Sequence, residues 1–256
     1  MGLEFYDDFL GEHSSEVTLQ FSGADFEGKF RENLEKLPAD WYYRTVPVYY
    51  YHNKLGHRSK NPELIDFDNY ILFSGCSHTY GVGLENEKTY AYLSAKKLNC
   101  DYYNLGLGGT GIDVMFYNVM TWLEKFPKPK FVFLQWTDWT RYLGYIEKTM
   151  FNQTSIQPEG HWSVNKNASR VTVIGNEIGY FFSRAMLYHN LIKNKLASLN
   201  IPYHYISFLG PDTIKLPETF IFKTPPDKAR DNSHFGIETN EIFSDMVVEK
   251  YHEILR

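Results

Sequence analysis

From about residue 69 to its C-terminal end, the chain alternates short apolar runs with segments of helical periodicity. The short runs predict strands at residues 70–73, 101–105, 131–134 and 203–208. Apolar positions three or four residues apart predict helices at residues 112–126, 181–199 and 243–254, and a shorter helix at 89–98. Because strands alternate with helices, we expect an α/β fold in which helices cover both faces of a mainly parallel sheet.

Two stretches depart from this alternation. Residues 1–67 are irregular, and we interpret them as an N-terminal extension that packs on or near a domain formed by residues 68–256. Residues 142–177 interrupt that domain, and the β-branched run at 171–174 indicates a hairpin. We therefore expect an insertion or lid at 142–177.

The composition is typical of a soluble globular protein. Of the 256 residues, 43% are hydrophobic and 22% are charged, which excludes a wholly disordered chain. The net charge of −5 disfavours a nucleic-acid binder, which usually has a basic surface. No apolar stretch approaches the roughly 20 residues of a membrane helix, and the acidic start is unlike a secretory signal. We expect a cytoplasmic protein or part of a larger assembly, and the oligomeric state stays open.

Cysteine and aromatic content narrow the picture further. The two cysteines exclude a disulfide scaffold and have no metal-ligand spacing, so we expect no metal and no cofactor. The aromatic fraction is high, at 17%, and most aromatic residues fall on predicted strands and helix faces. The clusters at 41–51 and 136–139 are candidates for a pocket rim. Trp136, Trp139 and Trp162 look exposed and are candidates for stacking on sugar rings, although core positions are commoner for aromatic residues.

In a parallel sheet, ligands bind at the carboxyl ends of the strands. Ser77 follows the first predicted strand and precedes a helix, so its hydroxyl and backbone N–H can face a ligand. A glycine-rich loop, 104–111, follows the second strand and can expose further N–H groups, but it does not fit a phosphate-binding motif. Taken singly, a capped turn is the far commoner explanation of the Ser77 loop, and a flexible glycine turn is the alternative for the second loop.

Polar residues also follow the third strand and precede the last helix. The third strand leads into Gln135, Trp136, Thr137, Asp138 and, slightly later, Arg141. Asp231 stands three residues before His234, a spacing at which the carboxylate can hold the imidazole Nδ1–H and leave the other nitrogen as a general base. Alone, such a pair is commonly structural.

Together, and in this order, these blocks resemble the SGNH (GDSL-like) hydrolase family over residues 68–256. Gly75-Cys76-Ser77-His78-Thr79 resembles the first block, 104–109 the second, and Asp231-x-x-His234 the last. The resemblance implies a three-layer α/β/α sandwich with a flavodoxin-like sheet. It also implies a nucleophile at Ser77, a base at His234 oriented by Asp231, and an oxyanion hole from the N–H groups of Ser77 and Gly109.

Two positions depart from the family pattern. Cys76 stands where the family usually has Asp, outside the chemistry. The third block should read Gly-x-Asn-Asp, but the aligned residues are Gln135-Trp136-Thr137-Asp138, so Thr137 falls on the Asn of the oxyanion hole. A hydroxyl can donate one hydrogen bond there, and Gln135 is the substitute if it faces inward. Losing one oxyanion donor costs about 10²–10³ in rate, which puts activity in question.

The implied function is removal of small acyl groups, such as O-acetyl groups, from an ester substrate that is a small molecule or a glycan. Gln135, Trp136, Arg141 and His78 are possible substrate-binding residues. His78 either gates the site or faces solvent at the start of a helix. Two alternatives use the same fold: a weak or inactive glycan-binding or structural module, and an O-acyltransferase that uses the same residues.

Overall fold

The computed structural model describes residues 2–13, 16–137, 141–146, 149–153, 178–207 and 225–256. Its strands are β1 Gly2–Tyr6, β2 Phe9–Gly11, β3 Val17–Leu19, β4 Tyr50–His52, β5 Tyr70–Ser74, β6 Asp101–Asn104, β7 Phe131–Trp136, β8 Tyr142–Ile146, β9 Thr149–Gln153 and β10 Tyr203–Ser207. Its α-helices are α1 Glu27–Lys36, α2 Ser77–Tyr80, α3 Tyr90–Lys97, α4 Ile112–Lys125, α5 Ile178–Ser198 and α6 Ile237–Ile254. Short 3₁₀ turns lie at Tyr42–Arg44, Pro62–Leu64 and Asn86–Lys88.

The central sheet contains the four predicted strands, all parallel, in the order β10-β7-β5-β6. Numbered along the chain, this order reads 4-3-1-2, which is the flavodoxin-like arrangement. Every residue of β5 and of β7 is buried, as expected for the two middle strands of a sheet covered on both faces. The predicted α/β fold with a parallel, flavodoxin-like sheet is confirmed.

Helices cover the two faces of this sheet and complete the three layers. On one face, Phe73 and Phe133 pack with Tyr90 of α3 and with Phe243 of α6. On the other face, the buried residues of the sheet pack against α4 and α5; they are Leu72, Val132 and Leu134, and their partners include Val119, Trp122, Ile192 and Leu196. The alternation of apolar residues along each strand therefore supplies two separate cores.

A second sheet joins the start of the chain to part of the predicted insertion. Its order is β2-β1-β9-β8, with all pairs antiparallel. The β8–β9 hairpin lies at residues 142–153 and pairs with β1, at the start of the chain. The hairpin predicted from the run at 171–174 lies outside the described residues, as does the whole of 154–177.

The N-terminal segment contacts the sheet-containing part of the chain through buried polar groups. The Asn118 side chain pairs with both backbone groups of Leu10, at 2.9 and 2.8 Å. The His57 ring lies 3.0 Å from Tyr103 Oη on β6. The predicted division of the chain after residue 67 stays a prediction. Among the helices that the structure describes, none has the length and apolar character needed to cross a lipid bilayer.

Candidate active site

The loop after β5 brings Ser77 to the carboxyl edge of the sheet. β5 ends at Ser74, and only Gly75 and Cys76 separate it from Ser77, the first residue of α2. A Cβ on Gly75 would collide with Thr79 Oγ1 and lie 2.9 Å from Gln135 Cβ, so this tight connection requires glycine. As the first helical residue, Ser77 has a backbone N–H without a partner inside the helix.

The Gln135 side chain is hydrogen-bonded to residues of this turn. Its Oε1 accepts hydrogen bonds from Cys76 N at 3.2 Å, Cys76 Sγ at 3.3 Å and Thr79 Oγ1 at 3.1 Å, and its Nε2 donates to Trp136 O at 2.5 Å. The side chain is fully buried. These hydrogen bonds make Gln135 a support of the Ser77 turn. One N–H of its Nε2 donates to Trp136 O, and the role of Gln135 as an oxyanion donor stays a prediction.

Asp231 and His234 form the pair that their spacing predicts. Asp231 Oδ2 lies 2.6 Å from His234 Nδ1, while Oδ1 accepts the backbone N–H groups of Ser233 at 3.1 Å and His234 at 3.0 Å. Burial alone raises the pKa of Asp231, but the hydrogen bonds and charge of His234 outweigh it and lower the pKa below 3.8. An ionised Asp231 accepts the Nδ1–H, so the lone pair of His234 is on Nε2.

Ser77 and His234 line the same narrow cavity. Ser77 is 8% exposed, and the His234 side chain is 15% exposed. Within the described part of the chain, the hydrogen-bond contact of Ser77 Oγ is with Cys76 Sγ, at 3.9 Å, and not with His234. The two groups are neighbours in one small cavity, and a proton transfer between them requires Ser77 Oγ to turn toward the imidazole.

His78 forms one wall of this cavity. Its ring stacks on Phe235 with centroids 4.2 Å apart and lies 5.0 Å from the ring of His234. Burial, and then the positive charges of His234 and Arg141, hold the pKa of His78 well below 6.5. The side chain is half-buried against these rings, so the interpretation that it faces solvent is wrong.

The glycine-rich loop after β6 lies against the loop that carries Ser77. Asn104 Nδ2 donates to Thr79 O and Asn104 Oδ1 accepts from Gly106 N, both at 2.8 Å. Leu107 N also donates to Gly75 O at 3.3 Å. Gly109 has a φ of 69°, a left-handed conformation that favours glycine. Asn104 thus ties together the two loops that the resemblance assigns to the nucleophile and the oxyanion hole.

Thr137 is buried and fully engaged. Its Oγ1 donates to Thr110 O at 2.8 Å and accepts from Arg141 Nη1 at 3.1 Å. Because a hydroxyl has a single proton, Thr137 can serve an oxyanion only by giving up its bond to Thr110. Arg141 is half-buried, and its charge acts on His78, so this guanidinium lies near the cavity.

The predicted aromatic rim is corrected at Trp136. This residue is 2% exposed, and its Nε1 donates to His189 Nδ1 at 2.9 Å, which makes it a core residue and not an exposed platform. Asp138, Trp139 and Trp162 lie outside the described residues. The exposed members of the 41–51 cluster include Tyr49 and Tyr51, which line a different pocket from the one at Ser77.

Sequence reasoning missed the residues of the N-terminal segment that reach this region. Glu12 Oε1 accepts the Gly108 N–H at 2.6 Å, next to the predicted oxyanion donor. Arg58 donates to the carbonyls of Tyr80 and Gly81, at 3.1 and 2.6 Å, at the C-terminal end of α2. Both residues come from irregular sequence without a recognisable motif, so no local signal identified them.

Of the comparisons with known proteins, the one with solved structures found matches. No protein-family model and no curated protein matches the chain. A lipolytic protein of the G-D-S-L family from Desulfitobacterium hafniense DCB-2 is 9% identical, with 71% of this chain and 99% of that chain covered and a TM-score of 0.42. A family 2 carbohydrate esterase with a carbohydrate-binding domain from Myceliophthora fergusii is 14% identical, with 81% and 71% covered and a TM-score of 0.37. An acetyl xylan esterase from Butyrivibrio proteoclasticus is 11% identical, with 77% and 66% covered and a TM-score of 0.39.

Proposed function

We propose that the protein is a serine-dependent ester hydrolase of the SGNH type. The observation that carries this proposal is the 2.6 Å Asp231–His234 pair, with its imidazole in the same cavity as Ser77. The cavity includes Ser77, which follows the middle strand β5 at the carboxyl edge of the sheet, the position at which parallel sheets bind ligands. A nucleophile, a base and an orienting carboxylate in this order are the parts of an acyl-transfer site.

The proposed reaction starts when Ser77 Oγ exchanges its contact with Cys76 for a hydrogen bond to His234 Nε2. His234 takes the hydroxyl proton while Ser77 Oγ attacks the ester carbonyl, and the alcohol leaves with the proton from His234. A water molecule, deprotonated by His234, then attacks the acyl-Ser77 ester, and His234 returns this proton to Ser77 Oγ as the acid leaves. Asp231 keeps the imidazole tautomer throughout and stabilises its charged form.

The N–H groups of Ser77 and Gly109 are the proposed donors to the oxyanion. In the third position, Thr137 has to break its bond to Thr110 before it can donate, and Arg141 is bonded to the same hydroxyl. We expect a slow esterase, because a missing oxyanion donor costs about 10²–10³ in rate. The proposed acyl group is a short one, such as acetyl.

Two measurements test the proposal: hydrolysis of p-nitrophenyl acetate and labelling by a fluorophosphonate probe. The wild-type protein should turn over the ester and carry the label on Ser77, and Ser77→Ala should lose both. Ser233→Ala is the matched control, since Ser233 is an exposed serine between Asp231 and His234. The absence of both turnover and label in the wild type would overturn the proposal. Labelling that persists in Ser77→Ala would also overturn it.

A catalytically inactive glycan-binding module is the second candidate. It is favoured by the engaged hydroxyl of Thr137 and by the contact of Ser77 Oγ with Cys76 Sγ. Binding of an acetylated oligosaccharide with unchanged affinity in Ser77→Ala, and without product, would support it. Product analysis with an added sugar acceptor separates hydrolysis from the third possibility, acyl transfer to another hydroxyl.

A further inference from the structure

Three side chains of the N-terminal segment converge away from the cavity of Ser77. Glu12, His13 and His52 each place one ligand-type atom within 4.8 Å of the others. The rings of His13 and His52 are 4.8 Å apart, and Glu12 Oε2 is 4.0 Å from His52 Nε2. The 4.0 Å separation is too long for a hydrogen bond, so direct bonding does not explain why these groups meet.

Two atoms of this cluster are buried without a hydrogen-bond partner among the described residues: Glu12 Oε2 and His52 Nδ1. The Glu12 side chain is 1% exposed and His52 is 0% exposed. Leaving a buried polar atom unsatisfied is destabilising, and more so for a charged group. Two such atoms in one cluster call for a partner that the described residues do not supply.

One atom of Glu12 and one atom of His52 are hydrogen-bonded. Glu12 Oε1 accepts the N–H of Gly108 at 2.6 Å. His52 Nε2 lies 2.8 Å from Tyr80 Oη, and that hydroxyl donates to Ser22 Oγ at 2.9 Å, so the imidazole N–H faces Tyr80 and the lone pair is on Nδ1. Metal-binding histidines and carboxylates are typically oriented in this way, with one atom hydrogen-bonded and the other left for the ion.

We propose that Glu12, His13 and His52 form a binding site for a divalent cation of the zinc type. Two imidazoles and one carboxylate are the donors that such ions accept, with a fourth position left for water or another ligand. Tetrahedral zinc, with bonds of about 2.0–2.1 Å, places its ligand atoms about 3.3 Å apart. The largest separation of 4.8 Å must therefore shorten, and His13, the half-buried member, has room to move.

Burial shifts the pKa values of His52 and Glu12 in ways that bear on such an ion. Burial lowers the pKa of His52 to about 3, so the ring is neutral, as a metal ligand must be. Burial raises the pKa of Glu12 to about 7, against the opposing effect of the Gly108 hydrogen bond. A nearby cation offsets the cost of holding that carboxylate ionised. This site differs from the expectation of no metal, which rested on the cysteine spacing.

The location gives the ion a structural consequence. Glu12 is bonded to Gly108, in the loop after β6, and His52 to Tyr80, in α2. An ion held by these ligands would connect the N-terminal segment to both loops at the carboxyl edge of the sheet. The proposal concerns binding and stability, and it holds whether or not Ser77 is a nucleophile.

The experiment uses the full chain, stripped with a chelator and then titrated with Zn²⁺ in competition with a chromophoric chelator. We expect one high-affinity equivalent, and ligand-field bands in the visible spectrum when Co²⁺ replaces Zn²⁺. At a Zn²⁺ concentration 100 times the Kd, the Tm should rise by about 5–10 °C. His13→Ala should weaken binding at least about 100-fold, because loss of a ligand exceeds the effect of losing an outer-shell partner.

Two further variants keep the result interpretable. Glu12→Gln retains an oxygen that can accept the Gly108 N–H but removes the anionic ligand, so it should lose Zn²⁺ affinity while its metal-free Tm stays near that of the wild type. His252→Ala, on the exposed C-terminal end of α6, removes a histidine outside the cluster and should bind like the wild type. The absence of saturable binding, or equal affinity in wild type, His13→Ala and Glu12→Gln, would overturn the proposal and leave a buried water or a protonated Glu12 as the partner.

Discussion

Arg230 and Asp231 are consecutive residues, yet each belongs to a different region of the molecule. Asp231 pairs with the partly exposed His234 at the candidate active site. Arg230 points the other way and binds Asp25 at 2.7 Å, and their side chains are 1% and 0% exposed. We call Asp25, Arg58 and Arg230 the buried charged cluster. The candidate active site contains the groups proposed to react. The buried charged cluster contains groups that hold the reacting loops in place.

The buried charged cluster has many hydrogen bonds, although Arg58 Nε has no partner among the described residues. Arg230 contacts both oxygens of Asp25 and the carbonyl oxygens of Gln20 and Val48, and Tyr50 Oη donates to Asp25 at 2.5 Å. Arg58 bonds to backbone carbonyls alone among its recorded partners, and its guanidinium lies 4.5 Å from the ring centre of Tyr50. A buried charge is tolerable when most of its hydrogen-bonding groups have partners in this way.

The candidate active site has the opposite character. The recorded contact of the Ser77 hydroxyl within the described residues is a weak one to Cys76, and His234 keeps one ring nitrogen for chemistry. Groups that must exchange protons need atoms without a fixed hydrogen bond. Their placement therefore depends on neighbouring residues that make more hydrogen bonds. Arg58 holds the end of the helix that begins at Ser77, and Arg230 immediately precedes Asp231. The loops that carry the reacting groups are therefore positioned largely by residues of the N-terminal segment.

The largest expected effect is on the rate of ester hydrolysis, and it tests whether Asp231 serves reaction and not folding. Asp231→Asn should lower kcat by about 10⁴-fold, because an amide favours the wrong imidazole tautomer. Its free energy of unfolding should change little, since the amide oxygen can still accept the N–H groups of Ser233 and His234. Ester turnover and urea denaturation of the same preparation measure the two quantities. A loss of stability as large as the loss of activity would show that Asp231 is mainly structural.

The next effect is on stability. Asp25→Asn leaves the Arg230 charge buried without its counterion, and it should lower the free energy of unfolding by about 3–5 kcal/mol. The kcat of the fraction that stays folded should remain close to that of the wild type. Glu27→Gln is the control, because its ion pair with Arg31 is mostly exposed. Equal denaturation midpoints for the two variants would contradict the assigned role of the buried charged cluster.

The smallest expected effect is on the free energy of unfolding at acidic pH. It tests how the buried His57 differs from the candidate catalytic His234. Burial lowers the pKa of His57 to about 4, against a weaker opposing effect of its hydrogen bond to Leu10 O. Between about pH 6.5 and 4 the unfolded chain binds a proton that the folded chain does not, so stability falls as the pH falls.

At pH 5 the contribution of His57 to this loss is about 2 kcal/mol. His57→Gln should therefore reduce the difference in unfolding free energy between pH 7 and pH 5 by that amount, whatever its effect at pH 7. Urea denaturation of chelator-treated protein at both pH values measures it. Identical pH dependence in wild type and variant would show that His57 is already protonated in the fold.

Local pattern was sufficient for much of the fold and for part of the site. The strands at β5, β6, β7 and β10 were predictable because a buried parallel strand leaves an apolar run in the sequence. The Asp231–His234 pair was predictable because three residues separate its members. Trp136 was misjudged because its burial depends on His189, a residue 53 positions away that no local pattern connects to it.

The sequence by itself determined the order of strands and helices, the parallel sheet and the short-range pair at the edge of that sheet. These features are determined by residues close together in the chain, so spacing and polarity encode them. The tertiary structure alone decided that the N-terminal segment holds the loops of the candidate site. It also decided that Thr137 is engaged and that Glu12 meets His52. Contacts such as Asp25–Arg230 join residues 205 positions apart, and only the packing of the whole chain brings such residues together.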